Sequence, residues 1–319
     1  MRFVTFRSAK GDRPGLVVDA TTVLDLPEAI AIAHDDAAVD KDLAIPCTML
    51  DVIAAGPRMW QACQGVLDKA ASGRLASARV ARADVTLLAP IPRPSKNVFC
   101  VGSNYRAHVS EASRAQAKAD VAPEHPVFFT KPPTAVIGPG DAIRLDPGVS
   151  VKIDYEVELG VVIGKAGRNI PAAAGVGHIF GFTIINDITA RDLQRRPGGQ
   201  FLKGKGLDTS CPMGPEIVTI DELADFDQLA IGLAVNDETR QDGNTASMMF
   251  TVPRLLESLS EGMTLEPGDL LATGTPSGVG YAMDPPQYLK DGDTVTCEIE
   301  RIGRLTNVVR DVSIAASAA

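Results

Sequence analysis

Two glutamates stand two positions apart in the stretch IDYEVELGVVIG, at Glu156 and Glu158. In an extended strand alternate side chains share a face. Asp154, Glu156 and Glu158 would then lie on one side, with Tyr155, Val157, Leu159, Val161 and Ile163 on the other. Neighbouring carboxylates repel, and a half-buried one is costly without a neutralising partner. Such a face is either open to water or turned to a cation. Strand geometry puts the two glutamate Cα atoms roughly 6.5–7 Å apart, close enough for both carboxylates to reach one ion. A third acid, Asp187, ends the apolar run FGFTIIND, where a buried strand would project it into a site. Three carboxylates with no Cys or His pair nearby specify a hard cation with oxygen ligands: Mg²⁺, Mn²⁺ or Ca²⁺. Mg²⁺ or Mn²⁺ is favoured where waters and substrate oxygens complete the shell.

Further candidates lie on either side. In CVGSNYRAHVSEA the residues Gly102, Ser103 and Asn104 make a turn between a strand and a helix. His108 and Glu111 are three apart and so neighbours on that helix. A carboxylate beside an imidazole orients it and raises its basicity, as a general base requires, though a surface pair has the same spacing. The stretch PGGQFLKGKGLDTSCP imitates a phosphate-binding loop, but Gly206 stands where Ser or Thr is needed, and no strand precedes it. What remains is Lys205, with Lys203 as its neighbour: a lysine approaching a substrate oxygen, or one in solvent. The small residues of LLATGTPSGVG could hold a carboxylate through backbone N–H groups and the hydroxyls of Thr273, Thr275 and Ser277, or simply turn. His34, His125 and His178 have no metal-ligand spacing, and Cys211 has no adjacent base.

These groups need elements to hold them. Residues 1–26 alternate as strands, followed by helical patterns in PEAIAIAHDD and in TMLDVIAAGPRMWQACQGVLDKAAS, the latter broken at Gly56–Pro57. A proline-rich connector near residues 88–96 marks the boundary between a small domain, 1–92, and a larger one, 93–319. From Asn97 onward short β runs alternate with turns and few helices, which excludes regular βαβ winding and indicates an α+β fold. A net charge of −9 argues against a nucleic-acid binder. No apolar run is long enough to span a membrane, and the opening MRFVTFRSAKGDRPG is not a secretory signal. Five scattered cysteines without C-x-x-C spacing point to free thiols in a reduced cytoplasm.

Taken in order, VGSNYRAHVSE, PVFFTKPPTAVIGPGDAI, DYEVELGVVIG, GFTIINDITARDLQ, KGKGLDTSCPMGP, VNDETRQ, GDLLATGTPSGVG and LKDGDTVTCEIERIGRLTN resemble the fumarylacetoacetate hydrolase family in its short, acylpyruvate hydrolase-like form, over roughly residues 95–312. The resemblance implies a mixed β-roll or β-sandwich catalytic domain, usually homodimeric, behind a small N-terminal α+β domain. It implies Mg²⁺ or Mn²⁺ on Glu156, Glu158 and Asp187, and catalytic roles for His108, Glu111 and Lys205, with Gly206 replacing the family's usual Ser. It places Tyr105, Gln194 and Thr275 against substrate. The expected activity is hydrolysis of the C–C bond of a 2,4-dioxo acid such as an acylpyruvate or fumarylpyruvate. Water activated by His108 would attack, and a pyruvate enolate stabilised by the metal and Lys205 would leave. The alternative on the same site is decarboxylation or isomerisation of a 2-oxo dicarboxylic acid such as oxaloacetate. A non-catalytic ligand-binding protein is a third, less favoured reading. Arg195 and Arg196 could favour a second substrate carboxylate or be surface charges. Asp154 has no counterpart in the ligand motif and is expected at the edge of the site or in solvent.

Overall fold

The computed structural model describes residues 1–35, 39–196 and 198–313. Asp36 of the predicted first helix, Pro197 of the DLQRRPGGQF loop and residues 314–319 of the predicted larger domain lie outside the described residues. Three long apolar runs form the centre: strands Val157–Ile163, Ile179–Asn186 and Cys211–Thr219, every residue of which is buried. Strands covered on both faces need not alternate, and these are largely apolar, with Glu158 and Glu216 as buried charges within them.

The central strands belong to a twelve-stranded sheet. Val157–Ile163 pairs antiparallel with Ile179–Asn186 on one side and with Leu270–Ala272 on the other. Beyond Leu270–Ala272 come Val98–Gly102, in parallel, and then Val127–Lys131. In the opposite direction Cys211–Thr219 follows, and then the N-terminal strand Arg2–Ser8, with Arg2 opposite Val218. The N-terminal strands therefore extend the same sheet that carries the acids. A second, five-stranded sheet runs in the order Glu238–Asn244, Ala230–Val235, Thr294–Ile299, Gly303–Asp311, Ala142–Leu145.

The large sheet separates two apolar cores. On one face Val157, Leu159, Val161 and Phe182 pack with Leu233, Val295, Cys297 and Leu305 of the second sheet. On the other, Val162, Ile185 and Met213 pack with Ile30, Ile53, Met59 and Val66 from the helices Leu26–Asp35, Met49–Ala54 and Gly56–Asp68. The break expected at Gly56–Pro57 is there, since one helix ends at Ala54 and the next begins at Gly56. The α+β class read from the sequence holds, and the described strands close no barrel.

One expectation about the acidic strand fails. It does not run unbroken from Ile153: Ile153–Asp154 pairs separately with Thr189–Ala190, and the long strand starts only at Val157. The interruption at Tyr155 and Glu156 takes Asp154 out of the strand that carries Glu158.

Candidate active site

The three predicted ligands converge. One carboxylate oxygen from each of Glu156, Glu158 and Asp187 lies within 4.8 Å of the others, and all three residues are buried. Glu156 sits at the break before the long strand, Glu158 inside it, and Asp187 just after Ile179–Asn186, whose last residue is the register partner of Val157. The Asp187 backbone N–H donates to the Glu156 carbonyl at 2.8 Å, tying the two ends together.

Cations surround this cluster. Lys205 Nζ donates to Glu156 Oε2 and to Asp187 Oδ2, each at 2.6 Å. It is carried on the single-turn helix Leu202–Lys205 rather than on an open loop, and it is buried, which excludes the solvated reading. Lys203, its neighbour, is exposed. Lys131, fully buried at the end of Val127–Lys131, donates to Asp187 Oδ1 at 2.7 Å, to the Ile188 carbonyl at 3.0 Å and to the Lys205 carbonyl. Arg191 reaches Glu156 Oε1 with Nη2 at 2.7 Å and Asp154 Oδ2 with Nε at 2.8 Å.

Asp154 is therefore not in solvent, and it meets the cluster only through Arg191. It is fully buried and, besides Arg191, accepts the backbone N–H groups of Tyr155, Gly280 and Tyr281 at 2.8–3.0 Å. Four donors compensate the loss of water that makes a lone buried carboxylate costly. Lys131, Arg191 and the buried Asp154 were not singled out in the sequence as part of the site. Their signals were a lysine closing the aromatic strand VFFTK and an arginine four residues after Asp187.

Four carboxylates thus face three cations, and the excess charge falls on Glu158. Its Oε2 accepts the Gly274 N–H at 2.7 Å, but among the described residues it has no ion-pair partner. Burial, and then the charges of Asp187 and Glu156, push its carboxyl well above the usual range. Glu156 behaves oppositely: burial works to raise it, but Lys205 and Arg191 overcome that and hold it low. Burial would lower the Lys205 ammonium, yet Asp187 and Glu156 outweigh it and keep the group firmly protonated. Three hard oxygen donors and one uncompensated buried carboxylate fit a divalent cation on Glu156, Glu158 and Asp187.

The dyad is also assembled. Asn104 clamps the turn before helix Arg106–Gln116, donating to the carbonyls of Thr273 and Phe250 and accepting the Phe250 N–H. His108 Nδ1 lies 2.8 Å from Glu111 Oε1, and Glu111 Oε2 accepts the Gly278 N–H at 2.9 Å. With Nδ1 engaged, Nε2 is the ring nitrogen left for other work. Both Gly274 and Gly278 have positive φ, and a Cβ at Gly278 would come within 1.9 Å of the Arg240 carbonyl oxygen. Only glycine lets these backbones approach the two carboxylates.

A cavity of about 500 Å³ opens over this arrangement, lined by His108, Glu156, Glu158, Arg191 and Lys205 among others. Gln194 and Thr275 line it too, the latter's hydroxyl held by Gln241 Nε2 at 2.7 Å. Tyr105 does not line it: it is buried, and its hydroxyl has no hydrogen-bond partner. Arg195 and Arg196 are both exposed, and of the two only Arg195 lines the cavity.

Comparison with known proteins accords with this geometry. The oxaloacetate tautomerase YisK of Bacillus subtilis (strain 168) is 42% identical over 315 residues, covering 97% of this chain and 100% of that protein. The structure of a fumarylacetoacetate hydrolase from Exiguobacterium antarcticum superposes with a TM-score of 0.78 at 37% identity, covering 98% of this chain and 99% of that one. A maleylpyruvate hydrolase from Sphingobium sp. SYK-6 gives 0.72 at 30% identity, covering 98% and 100%. The family model of the fumarylacetoacetate (FAA) hydrolase C-terminal domain matches residues 97–310, the span that holds every group of the cavity floor. The chain is a member of the fumarylacetoacetate hydrolase family.

Proposed function

We propose that the protein is a divalent-metal-dependent isomerase of 2-oxo dicarboxylic acids, interconverting the keto and enol forms of oxaloacetate. The observation that carries this reading is the end-to-end similarity to a protein named as an oxaloacetate tautomerase, at 42% identity. It promotes the isomerase alternative over the C–C hydrolase expected first. The cavity supports it chemically, because tautomerisation needs a base, a place for oxyanion charge and no water.

In the keto-to-enol direction a proton leaves C3 of the substrate and the C2 oxygen gains one. His108, oriented by Glu111 through Nδ1, takes the C3 proton on Nε2. Lys205, kept protonated between Glu156 and Asp187, faces the charge that develops on the C2 oxygen and supplies its proton. Arg191, Gln194 and Thr275 orient the carboxylate beside it. A divalent cation on Glu156, Glu158 and Asp187 would add Lewis-acid polarisation of the 2-oxo group. The return reaction uses the same groups with the protons reversed.

Hydrolysis of an acylpyruvate is the second reading, favoured by the likeness to a maleylpyruvate hydrolase. It would need the same His108 to activate water. The deciding experiment supplies fresh oxaloacetate, an acylpyruvate and fumarylpyruvate with Mg²⁺ or Mn²⁺, following enol absorbance and pyruvate separately. Faster keto–enol equilibration without pyruvate supports the tautomerase. Pyruvate from oxaloacetate would make it a decarboxylase, and loss of diketone absorbance a hydrolase. The proposal includes the family's usual homodimer, to be checked by light scattering, and a cytoplasmic location. No helix among the described residues is long and apolar enough to cross a membrane.

A further inference from the structure

We propose that Arg195 is the specificity determinant for a second carboxylate on the substrate. This rests on the 2-oxo dicarboxylic acid reading above and assigns the residue that would select for it. The three cations of the buried cluster are already committed: Lys131 and Lys205 to Asp187, Lys205 and Arg191 to Glu156, and Arg191 also to Asp154. Arg195 lines the same cavity and has no ion-pair partner among the described residues. It is therefore an exposed cation at the cavity mouth with its charge uncompensated, as is Lys118, from which it differs in lying over the ring of Tyr281.

Its position is fixed even so. Arg191 and Arg195 are the first and last residues of one short helix, four apart and hence on one side of it. Both guanidinium groups lie over the ring of Tyr281, with centroid distances of 4.3 Å and 4.9 Å. Tyr281 is itself anchored, its backbone N–H on Asp154 Oδ2 at 3.0 Å. A ring face holds a guanidinium by cation–π attraction without consuming its N–H donors. Arg195 is thus placed beside Arg191, one step outward from the floor, with a fork of donors that matches a carboxylate. Arg196, exposed like Arg195, makes the contrast in its surroundings: it lies 3.9 Å from Asp192 and does not line the cavity. A four-carbon 2-oxo diacid bound with its head near Lys205 and Arg191 would direct its far carboxylate toward this outer guanidinium.

The test uses malate and lactate as probes, titrated calorimetrically into the Mg²⁺-loaded protein. Both carry a carboxylate and a 2-hydroxyl, neither decarboxylates readily, and only malate has a distal carboxylate. The unaltered protein is expected to prefer malate. Loss of a charge-assisted hydrogen bond in Arg195→Gln should weaken malate roughly 10- to 100-fold and leave lactate within about twofold. Arg195→Lys should recover part of the loss, and Arg196→Gln should leave both affinities unchanged. The assignment is overturned if the unaltered protein shows no malate preference, or if Arg195→Gln weakens both ligands alike or neither. It is also overturned if Arg196→Gln has the same effect, which would reveal only long-range charge. Failure of the tautomerase reading looks different: no turnover of oxaloacetate, with the malate preference and its dependence on Arg195 intact.

Discussion

Replacing Lys131 by Met removes a cation that the substrate never touches, and so measures what supports the acid cluster from beneath. The ammonium is fully buried and serves three acceptors: Asp187 Oδ1 at 2.7 Å, the Ile188 carbonyl at 3.0 Å and the Lys205 carbonyl. Met keeps most of the stem's volume, so the change is mainly electrostatic. Removing one partner of a buried ion pair costs about 3–5 kcal/mol, because the other charge is left without compensation. Lys205 still touches Asp187 Oδ2, which places the expected loss toward the lower end of that range. At about 2 °C per kcal/mol for a chain of this size, the melting midpoint should fall by roughly 6–8 °C. Urea and thermal unfolding of Lys131→Met, Asp187→Asn and the double variant would measure the coupling. If the pair is a real unit, the double variant loses less than the two singles together, by at least about 1 kcal/mol. A single-variant loss below about 1 kcal/mol, or additivity within about 0.5 kcal/mol, would refute the reasoning.

Other outcomes can be checked with less effort. His108→Ala should lower kcat by about 10²–10⁴, and Glu111→Gln by less, in initial-rate assays with metal saturating. Mg²⁺ or Mn²⁺ at about a hundred times its dissociation constant should stabilise the fold by about 2.7 kcal/mol in thermal scans. EDTA should remove that gain, and Glu158→Gln should abolish it. With a thiol reagent, Cys47 should react quickly because it is exposed, whereas Cys63, Cys100, Cys211 and Cys297 should wait for unfolding. Burial adds a chemical barrier there, pushing the Cys63 and Cys211 thiols up to about 12. Gly274→Ala should cost about 1–3 kcal/mol in the same melts, since its φ is +96° and a Cβ would lie 2.8 Å from Asn104 Cβ.

Sequence order revealed more here than local pattern did. The pair Glu156 and Glu158 with a later Asp187, and the His108–Glu111 spacing on a helix, were legible because each depends on a short stretch with one period. Asp154 was misread for the same reason. A rule of alternating faces assumes an unbroken strand, and the chain breaks at Tyr155 so that Asp154 can meet Arg191 and the backbone of Gly280 and Tyr281. Nothing within ten residues of Asp154 announces those donors. Lys131 was hidden in a related way. It reaches Asp187 only because Val98–Gly102 runs parallel to Leu270–Ala272 and carries Val127–Lys131 beside it. That pairing joins residues some 170 positions apart. The N-terminal strands were visible as strands, but that Arg2–Ser8 would extend the catalytic sheet by pairing with Cys211–Thr219 was not.

Charge balance ties the metal, the lysine and the substrate into one argument. The buried cluster carries one more carboxylate than cation, and the surplus sits on Glu158, which burial and two neighbouring carboxylates already disfavour as an anion. Had Lys205 alone been meant to neutralise the acids, its ammonium would lie among all three. It spans only Glu156 and Asp187, at 2.6 Å from each. The vacancy in compensation is therefore local to one ligand, and a divalent cation there would turn a deficit of one positive charge into a surplus of one. Arg195 and Lys118, both exposed and both lining the cavity without an ion-pair partner among the described residues, add positive charge at its mouth. A dianionic ligand would offset more of this positive charge than a monoanionic one. The positive charge at the mouth accordingly supports the diacid proposed above.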